Sequence, residues 1–222
     1  MIWFSLIRFA FWILYNPLAW TYDWVSSIVS LGHWRDWQRA ALSELRGERV
    51  LDLAFGTGNM LLDLSAAGFD PVGLDLSPAM VRIAKDKLAR ANGCVPLIRG
   101  RAQQLAFADG TFDTVLSTFP APFILEPHTL SEVVRILRPG GRLVVVAMGR
   151  LTGRDPWSRF LEWLYRITGQ RFPPPDMTPL LTPLGLTFDS LWKTVQDTQV
   201  LLLVAQKPLN DVLVEDLVSD QM

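Results

Sequence analysis

The chain has 222 residues, half of them hydrophobic, and 21 Lys and Arg stand against 22 Asp and Glu for a net charge of −1. That length suits one domain with appendages, and the near-neutral balance argues against a nucleic-acid partner, which needs a basic field. One cysteine and two histidines exclude an internal disulfide framework, fit a reducing compartment and leave no metal site expected.

Residues 1–15 read MIWFSLIRFAFWILY, with only Ser5 and Arg8 strictly polar. The segment lacks the basic start and small-residue cleavage site of a secretory signal. As a helix it would be about 22 Å long, short of the roughly 30 Å hydrocarbon core of a bilayer. Ser5, Arg8, Trp12 and Tyr15 fall at steps of three and four on one stripe, and Trp and Tyr suit a water–lipid boundary. The expectation is a helix lying in a membrane interface, hence a cytoplasmic, peripherally membrane-associated protein. The alternative is a helix packed on its own domain or in the seam of a homodimer.

Residues 18–44 read as two helices interrupted at Gly32, which makes 1–44 an N-terminal helical extension. From residue 49 short apolar runs alternate with amphipathic stretches. Strands are expected near 49–54, 71–76, 95–99, 112–118, 141–148, 185–193 and 199–206, and helices near 58–67, 78–91, 129–137 and 156–168. Strand–helix alternation of this kind predicts an α/β domain, residues 45–208, with a largely parallel sheet covered on both faces. Residues 209–222 carry four acids and no Lys or Arg and read as an acidic, frayed tail.

The stretch Arg49-Val-Leu-Asp52-Leu-Ala54-Phe-Gly56-Thr-Gly58 runs from a strand through a Gly-x-Gly turn into a helix. Such a turn lets a ligand approach the backbone beside a helix N-terminus. Leu61 stands where a dinucleotide fingerprint would place its third glycine, and Asp52 suits a cationic ligand group better than a pyrophosphate. The second strand ends at Asp75, where a carboxylate can accept hydrogen bonds from both hydroxyls of a ribose. The alternative role for Asp75 is to cap the helix that begins at Ser77-Pro78, a task Ser77 can perform itself. The ligand implied is a nucleoside that carries an amino acid.

At this point the chain resembles the class I S-adenosylmethionine (SAM)-dependent methyltransferases of the type 11 group, on VLDLAFGTG (50–58), VGLDLSPAMVRIAK (72–85), RGRAQQLAFADGTFDTV (99–115) and EVVRILRPGGRLVVV (132–146). The resemblance implies a three-layer Rossmann-like fold with a seven-stranded sheet in the order 3-2-1-4-5-7-6, and SAM as cofactor. By that resemblance Asp52, Ala54, Gly56 and Gly58 wrap the methionine end and Asp75 holds the ribose. Leu76 and Met80 flank the adenine, with Ala102, Gln103 and Thr118 completing the cofactor site. Ala54 replaces the usual first glycine, and Gly100-Arg101-Ala102 replaces the usual Gly-Asp-Ala, so the acid that accepts from the adenine amine is missing and Gln103 is its candidate substitute.

Ala19-Trp-Thr-Tyr22-Asp23, then Ser30, Gly32 and Trp37, is similar to the entry of the ubiquinone/menaquinone C-methyltransferases, which implies that Tyr22 reaches over the SAM methionine. The similarity fails after the fourth strand, where Phe119-Pro-Ala-Pro-Phe-Ile124 is apolar and suggests a lipophilic acceptor. Methyl transfer from a sulfonium needs alignment, exclusion of water and removal of a proton. The candidates for proton transfer are Tyr22, His33 and His128. The function expected is methylation of a lipophilic, quinone-like molecule at a membrane surface. The runner-up is phospholipid N-methylation, and the reading from another class is a non-catalytic SAM-binding or membrane-scaffolding protein.

Overall fold

Apolar runs with alternating side chains form the strands: β1 (Arg49–Leu53), β2 (Asp70–Asp75), β3 (Leu97–Arg99), β4 (Phe112–Thr118), β5 (Leu137–Leu151), β6 (Thr187–Val195) and β7 (Thr198–Gln206). The computed structural model describes residues 18–153, 155–167 and 177–209. The expected interfacial helix at 1–15, and the acidic tail after Leu209, lie outside the described residues. Within them the strands make one sheet in the order 3-2-1-4-5-7-6, as the resemblance implied. The first five pair in parallel, and β7 runs antiparallel to β5 and β6.

Residues on successive positions of a strand face opposite sides, and here both sides are covered. Leu51, Leu53, Val115 and Val145 face α5 (Pro127–Ile136) and α7 (Thr178–Leu181) through Leu130, Val133 and Leu181. Val50, Leu116, Val144 and Val146 face α3 (Asn59–Ala66), α6 (Pro156–Ile167) and the second of the N-terminal helices α1 (Tyr22–Val29) and α2 (Trp34–Arg39), through Met60, Leu64, Leu161 and Trp37. Helix α4 (Pro78–Arg90) starts with Ser77 as its N-cap, the hydroxyl accepting from the Met80 N–H at 3.3 Å, and Pro78 follows it.

Two expectations shift. Strand β5 begins at Leu137, four residues earlier than 141, because Leu137 pairs with Phe112, while Arg138-Pro-Gly-Gly141 bulges out before the ladder resumes at Arg142 and Thr114. A Cβ at Gly141 would lie 2.9 Å from the carbonyl oxygens of Arg138 and Asp113, so only glycine passes there. The short α7 was not expected: four residues with a proline in the first turn are too few to show a helical period.

The described N-terminal helices are built into the core. Trp37 is fully buried and donates from its indole N–H to the Thr198 hydroxyl at 2.8 Å. Its ring lies on Gly149 of β5, where a Cβ would come within 2.2 Å of it. Arg35 grips Asp63 of α3 at 2.9 and 3.0 Å, and Arg39 adds a bond of 2.8 Å to the same carboxylate. Burial alone would raise the Asp63 pKa, but the two guanidinium groups outweigh it and hold the carboxyl below its ordinary value. Among the described residues no helix is long and apolar enough to cross a membrane.

Gly149→Ala should therefore loosen the whole N-terminal wall. Overpacking of this kind costs about 1–3 kcal/mol, which lowers Tm by roughly 2–4 °C per kcal/mol in a chain this long. A smaller ring should relieve the clash, so in scanning calorimetry the double variant Gly149→Ala/Trp37→Leu should melt above the sum of its single effects.

Candidate functional site

The carboxyl end of β1 is where the backbone departs most from ordinary geometry. Ala54, Gly56 and Gly58 all take positive φ, at 63°, 58° and 80°. Ala54 is the costly one, because its Cβ crowds the carbonyl in the left-handed region by about 1–2 kcal/mol. Its N–H is held by the Leu74 carbonyl at 2.7 Å, which ties the turn to β2. Phe119, at the end of β4, also has a left-handed φ of 49°, and its ring stacks on Trp34 with centroids 4.0 Å apart. Two strained non-glycine residues thus stand at the ends of adjacent strands, a pattern that clusters at functional sites.

Between them lies a recess of about 280 Å³, part of it open to solvent. Tyr22, Trp34 and Gln38 of the N-terminal helices line one side; Ala54, Gly56 and Thr118 line the other. Tyr22 meets Trp34 edge to face at 6.3 Å. The Gln38 amide donates to the Thr118 hydroxyl at 2.9 Å. A Cβ built on Gly56 would meet nothing within 4 Å, so the loop leaves a cradle there. Gly58 is different: a Cβ would lie 2.8 Å from the Ala84 Cβ of α4, so this glycine serves helix packing.

The polar atoms around the recess are short of partners. The Trp34 indole N–H, Gln38 Oε1 and both carboxyl oxygens of Asp52 are buried with no hydrogen-bond partner among the described residues. Strand alternation puts Asp52 on the same side of the sheet as Thr118, since β1 pairs Asp52 with Leu116 and Leu116 packs with Trp37. Burial, with a smaller push from Asp75, raises the Asp52 pKa from 3.8 to about 8. An acid so placed asks for a cationic ligand group.

Asp75 is already bonded on both oxygens. It accepts from the Gly56 N–H at 2.9 Å and from the Ser77 N–H at 2.8 Å, so it clasps the first loop to the second. Burial raises its pKa, against which the backbone N–H bonds pull down. Each carboxylate oxygen keeps a further lone pair for a ligand hydroxyl. Leu76 beside it is exposed, Met80 is buried beneath, and Ala102 is buried in the loop after β3. Gln103 donates to Glu126 at 2.7 Å, at the entrance of α5.

The two histidines stand apart. His33 stacks on Trp37 and lies 3.6 Å from Asp197 in the β6–β7 turn. His128 is exposed in the first turn of α5. Neither lines the recess. The loop 119–125 is more structural than its composition suggests, because Ile124 is buried and Phe123 and Leu125 pack on the core. A second, small hollow of about 20 Å³ lies beneath it, lined by Ile124, Met177 and Phe188 among others, and is wholly apolar.

Asp23 is the residue that sequence reasoning left without a role. Its carboxylate accepts from Thr57 at 2.6 Å, from Asn59 at 3.1 Å and from Lys87 at 2.8 Å, and Lys87 also donates to Asn59 at 2.6 Å. This cluster joins α1 to the glycine loop and to α4, and so sets Tyr22 over the recess. The signal was its place next to Tyr22 in the N-terminal motif.

Comparison with known proteins agrees with this geometry. A family model described as a methyltransferase domain matches residues 50–141. A demethylmenaquinone methyltransferase of Beutenbergia cavernae is 38% identical over 191 residues, covering 83% of this chain and 74% of its own. One from Symbiobacterium thermophilum is 32% identical over 171 residues, 72% of this chain and 66% of its own. Among solved structures, a SAM-dependent methyltransferase of Thermotoga maritima described as a possible histamine N-methyltransferase superposes with TM-score 0.61 at 20% identity, over 88% of this chain and 99% of its own. The [4+2]-cyclase SpnF does so with TM-score 0.56 at 19% identity, over 79% and 80%. Likenesses at that identity speak for the fold alone.

The glycines and Asp52 can be tested separately with SAM as ligand. Gly56→Ala should weaken SAM binding about tenfold, because its Cβ fills the cradle, and should lower Tm only by the strain of a left-handed alanine, about 1–2 kcal/mol. Gly58→Ala should do the reverse, lowering Tm through the Ala84 contact. Calorimetric titration and melting of both variants decide the assignment.

For Asp52 the unfolded carboxyl ionises near 3.8 and the folded one near 8. Between those values the folded state holds the extra proton, so the stability of the ligand-free protein falls as pH rises from about 4 to about 8, then levels. A cationic ligand needs the ionised form. SAM affinity should therefore rise over the same range with proton release, visible as a buffer-dependent binding heat. Asp52→Asn should flatten both dependences.

Proposed function

Because this chain belongs to the SAM-dependent methyltransferases, in the group of the demethylmenaquinone methyltransferases, we propose that it methylates a quinone-like ring carrying an apolar chain. The enzyme class and the cofactor come with the family. The substrate is named by its relatives only, and the chain spans about two thirds to three quarters of their length. The observation that carries the reading is the set of unpartnered buried atoms around the recess, above all the Asp52 carboxyl.

The residues fit SAM. Asp52 and Gln38 Oε1 offer acceptors to an ammonium, and the positive-φ turn at Ala54 and Gly56 exposes backbone to a close ligand. Asp75 offers acceptors to two hydroxyls, and Leu76 offers an apolar face to a base. Bound there, SAM supplies an electrophilic methyl group on a sulfonium. The protein's own work is alignment and exclusion of water, for which Tyr22, Trp34 and Phe119 form an aromatic wall. Tyr22 is the one proton-transfer candidate of the three that lines the recess, so we assign it ahead of His33 and His128.

A quinone-like acceptor suits this wall better than a phospholipid amine, because Tyr22 and Trp34 in the lining offer faces to a flat ring, and the buried acid beside the recess, Asp52, is assigned to the SAM ammonium. Membrane contact through residues 1–15 remains a proposal from their sequence.

The test is incubation of the full chain with methyl-labelled SAM, in parallel with reduced demethylmenaquinone and with a phospholipid extract. Label on the ring, abolished by Gly56→Ala at limiting SAM, is the expected result. Label in phospholipid headgroups alone would replace the quinone reading, and no label in either acceptor would overturn methyl transfer to both.

A further inference from the structure

The face of the molecule opposite Tyr22 on α1 is unusually aromatic. Trp20, Trp24 and Ile28 follow at steps of four, so they share one stripe, and the two tryptophans are 72% and 74% exposed. Helix α6 adds Trp157, Phe160 and Trp163 at steps of three, with Trp157 at 68% exposure. Phe160 packs edge to face on Trp157 at 6.1 Å and stacks on Trp163 at 5.9 Å. One hydrogen bond ties the two helices at their C-terminal ends, the Tyr165 hydroxyl donating to the Val29 carbonyl at 2.6 Å. Single exposed apolar side chains are ordinary, but an exposed stripe of three on each of two bonded helices marks an interaction surface.

The charges on these helices sort by side. Asp23 of α1 faces inward to Thr57, Asn59 and Lys87. Glu162 of α6 accepts from the Leu151 N–H at 2.9 Å, and Asp155 caps α6 by accepting from the Ser158 N–H at 2.9 Å. Arg159 and Arg166 are exposed. The acids are engaged within the fold, and the arginines are left for a partner. Indole rings with nearby arginines match one environment, the headgroup region of an anionic bilayer, where aromatic rings lie at the boundary and guanidinium groups meet phosphate.

We infer that the α1–α6 face is a docking surface for an anionic lipid bilayer, formed by the folded domain itself. In sequence, the apolar residues 1–17 precede Leu18, which is 42% exposed at the start of this face. Because α1 carries Tyr22 to the recess on its other side, docking brings the recess to the membrane. The docking surface stands on these observations whether or not the acceptor is a quinone.

The probe is vesicles of phosphatidylcholine with and without phosphatidylglycerol. A polarity-sensitive dye is attached through Trp24→Cys or Trp163→Cys in a Cys94→Ser background. The native Cys94, exposed beyond the far end of α4, carries the control label. Anionic vesicles should brighten the dye several-fold at the first two sites and leave it unchanged at Cys94. In co-sedimentation, Trp24→Gln/Trp157→Gln should lower vesicle partitioning about tenfold with Tm and SAM affinity unchanged. Arg159→Glu/Arg166→Glu should remove the preference for phosphatidylglycerol.

Three results overturn the inference. The protein sediments with vesicles while both dyes stay dim, which places the anchor elsewhere. No vesicle binding is found at all. Or sedimentation velocity shows a dimer that the tryptophan variants dissolve, which makes the face a contact between two copies. SAM binding and methylation of a soluble acceptor would survive each of these, so they leave the methyl-transfer reading untouched.

Discussion

Asp52 sits at the end of the central strand with no exposure and no hydrogen-bond partner among the described residues. Taking a carboxylate out of water without a partner costs several kcal/mol, so the group holds its proton up to about pH 8. A leucine in its place would serve the fold better. The carboxyl is retained in a core position whose neighbours, Leu51 and Leu53, are fully buried, and this fits a site kept destabilised for its ligand. Much at the carboxyl edge of the sheet follows from it. The loop above turns through the left-handed region at Ala54, Gly56 and Gly58, and Asp75 holds that loop through the Gly56 N–H.

The N-terminal helices complete the site, and they are fastened by three chemically different contacts. Trp37 lies flat on Gly149 and bonds to Thr198, Arg35 and Arg39 clamp Asp63, and Asp23 binds Thr57, Asn59 and Lys87. The first is packing in a close-fitted core. The second is a charge-assisted grip by two guanidinium groups on a largely buried carboxylate, stronger than a surface pair. The third is nearest the glycine loop and links ligand-facing backbone to α1. A change in that loop reaches Tyr22 through two hydrogen bonds.

How much of this was legible in the sequence follows from what each signal depends on. The strands β1, β2, β4 and β7 stood out as apolar runs with turn residues at their ends, and their order came with the motif resemblance. The start of β5 was placed at 141 because Pro and two glycines break patterns locally; that Leu137 already pairs ahead of them depends on its neighbour, Phe112. The Gly-x-Gly turn was visible, but the division of labour between Gly56 and Gly58 was not. It is decided by Ala84, distant in sequence and close in space. Asp23 was visible as part of a motif and silent as chemistry until Lys87 and Asn59 came beside it. The apolar loop 119–125 misled in the other direction, since composition cannot say which side a side chain faces.

The likeness to a cyclase on the same architecture shows why the fold alone does not choose the reaction. What distinguishes this chain is written on α1, a helix of eight residues. Positions Tyr22 and Asp23 face the recess and the glycine loop, and positions Trp24 and Ile28 face outward. Those two sets are about 100° or more apart around one short rigid rod. On the proposed readings, lipid contact on one side and site order on the other are borne by the same backbone. Any tilt of α1 that improves its seat in the headgroups moves Tyr22 and strains the Asp23 cluster, so the docked orientation is limited to those that keep Asp23 on Lys87. On the same readings a lipophilic acceptor would pass from the boundary layer along the aromatic face to the recess, beside buried atoms that have no hydrogen-bond partner among the described residues.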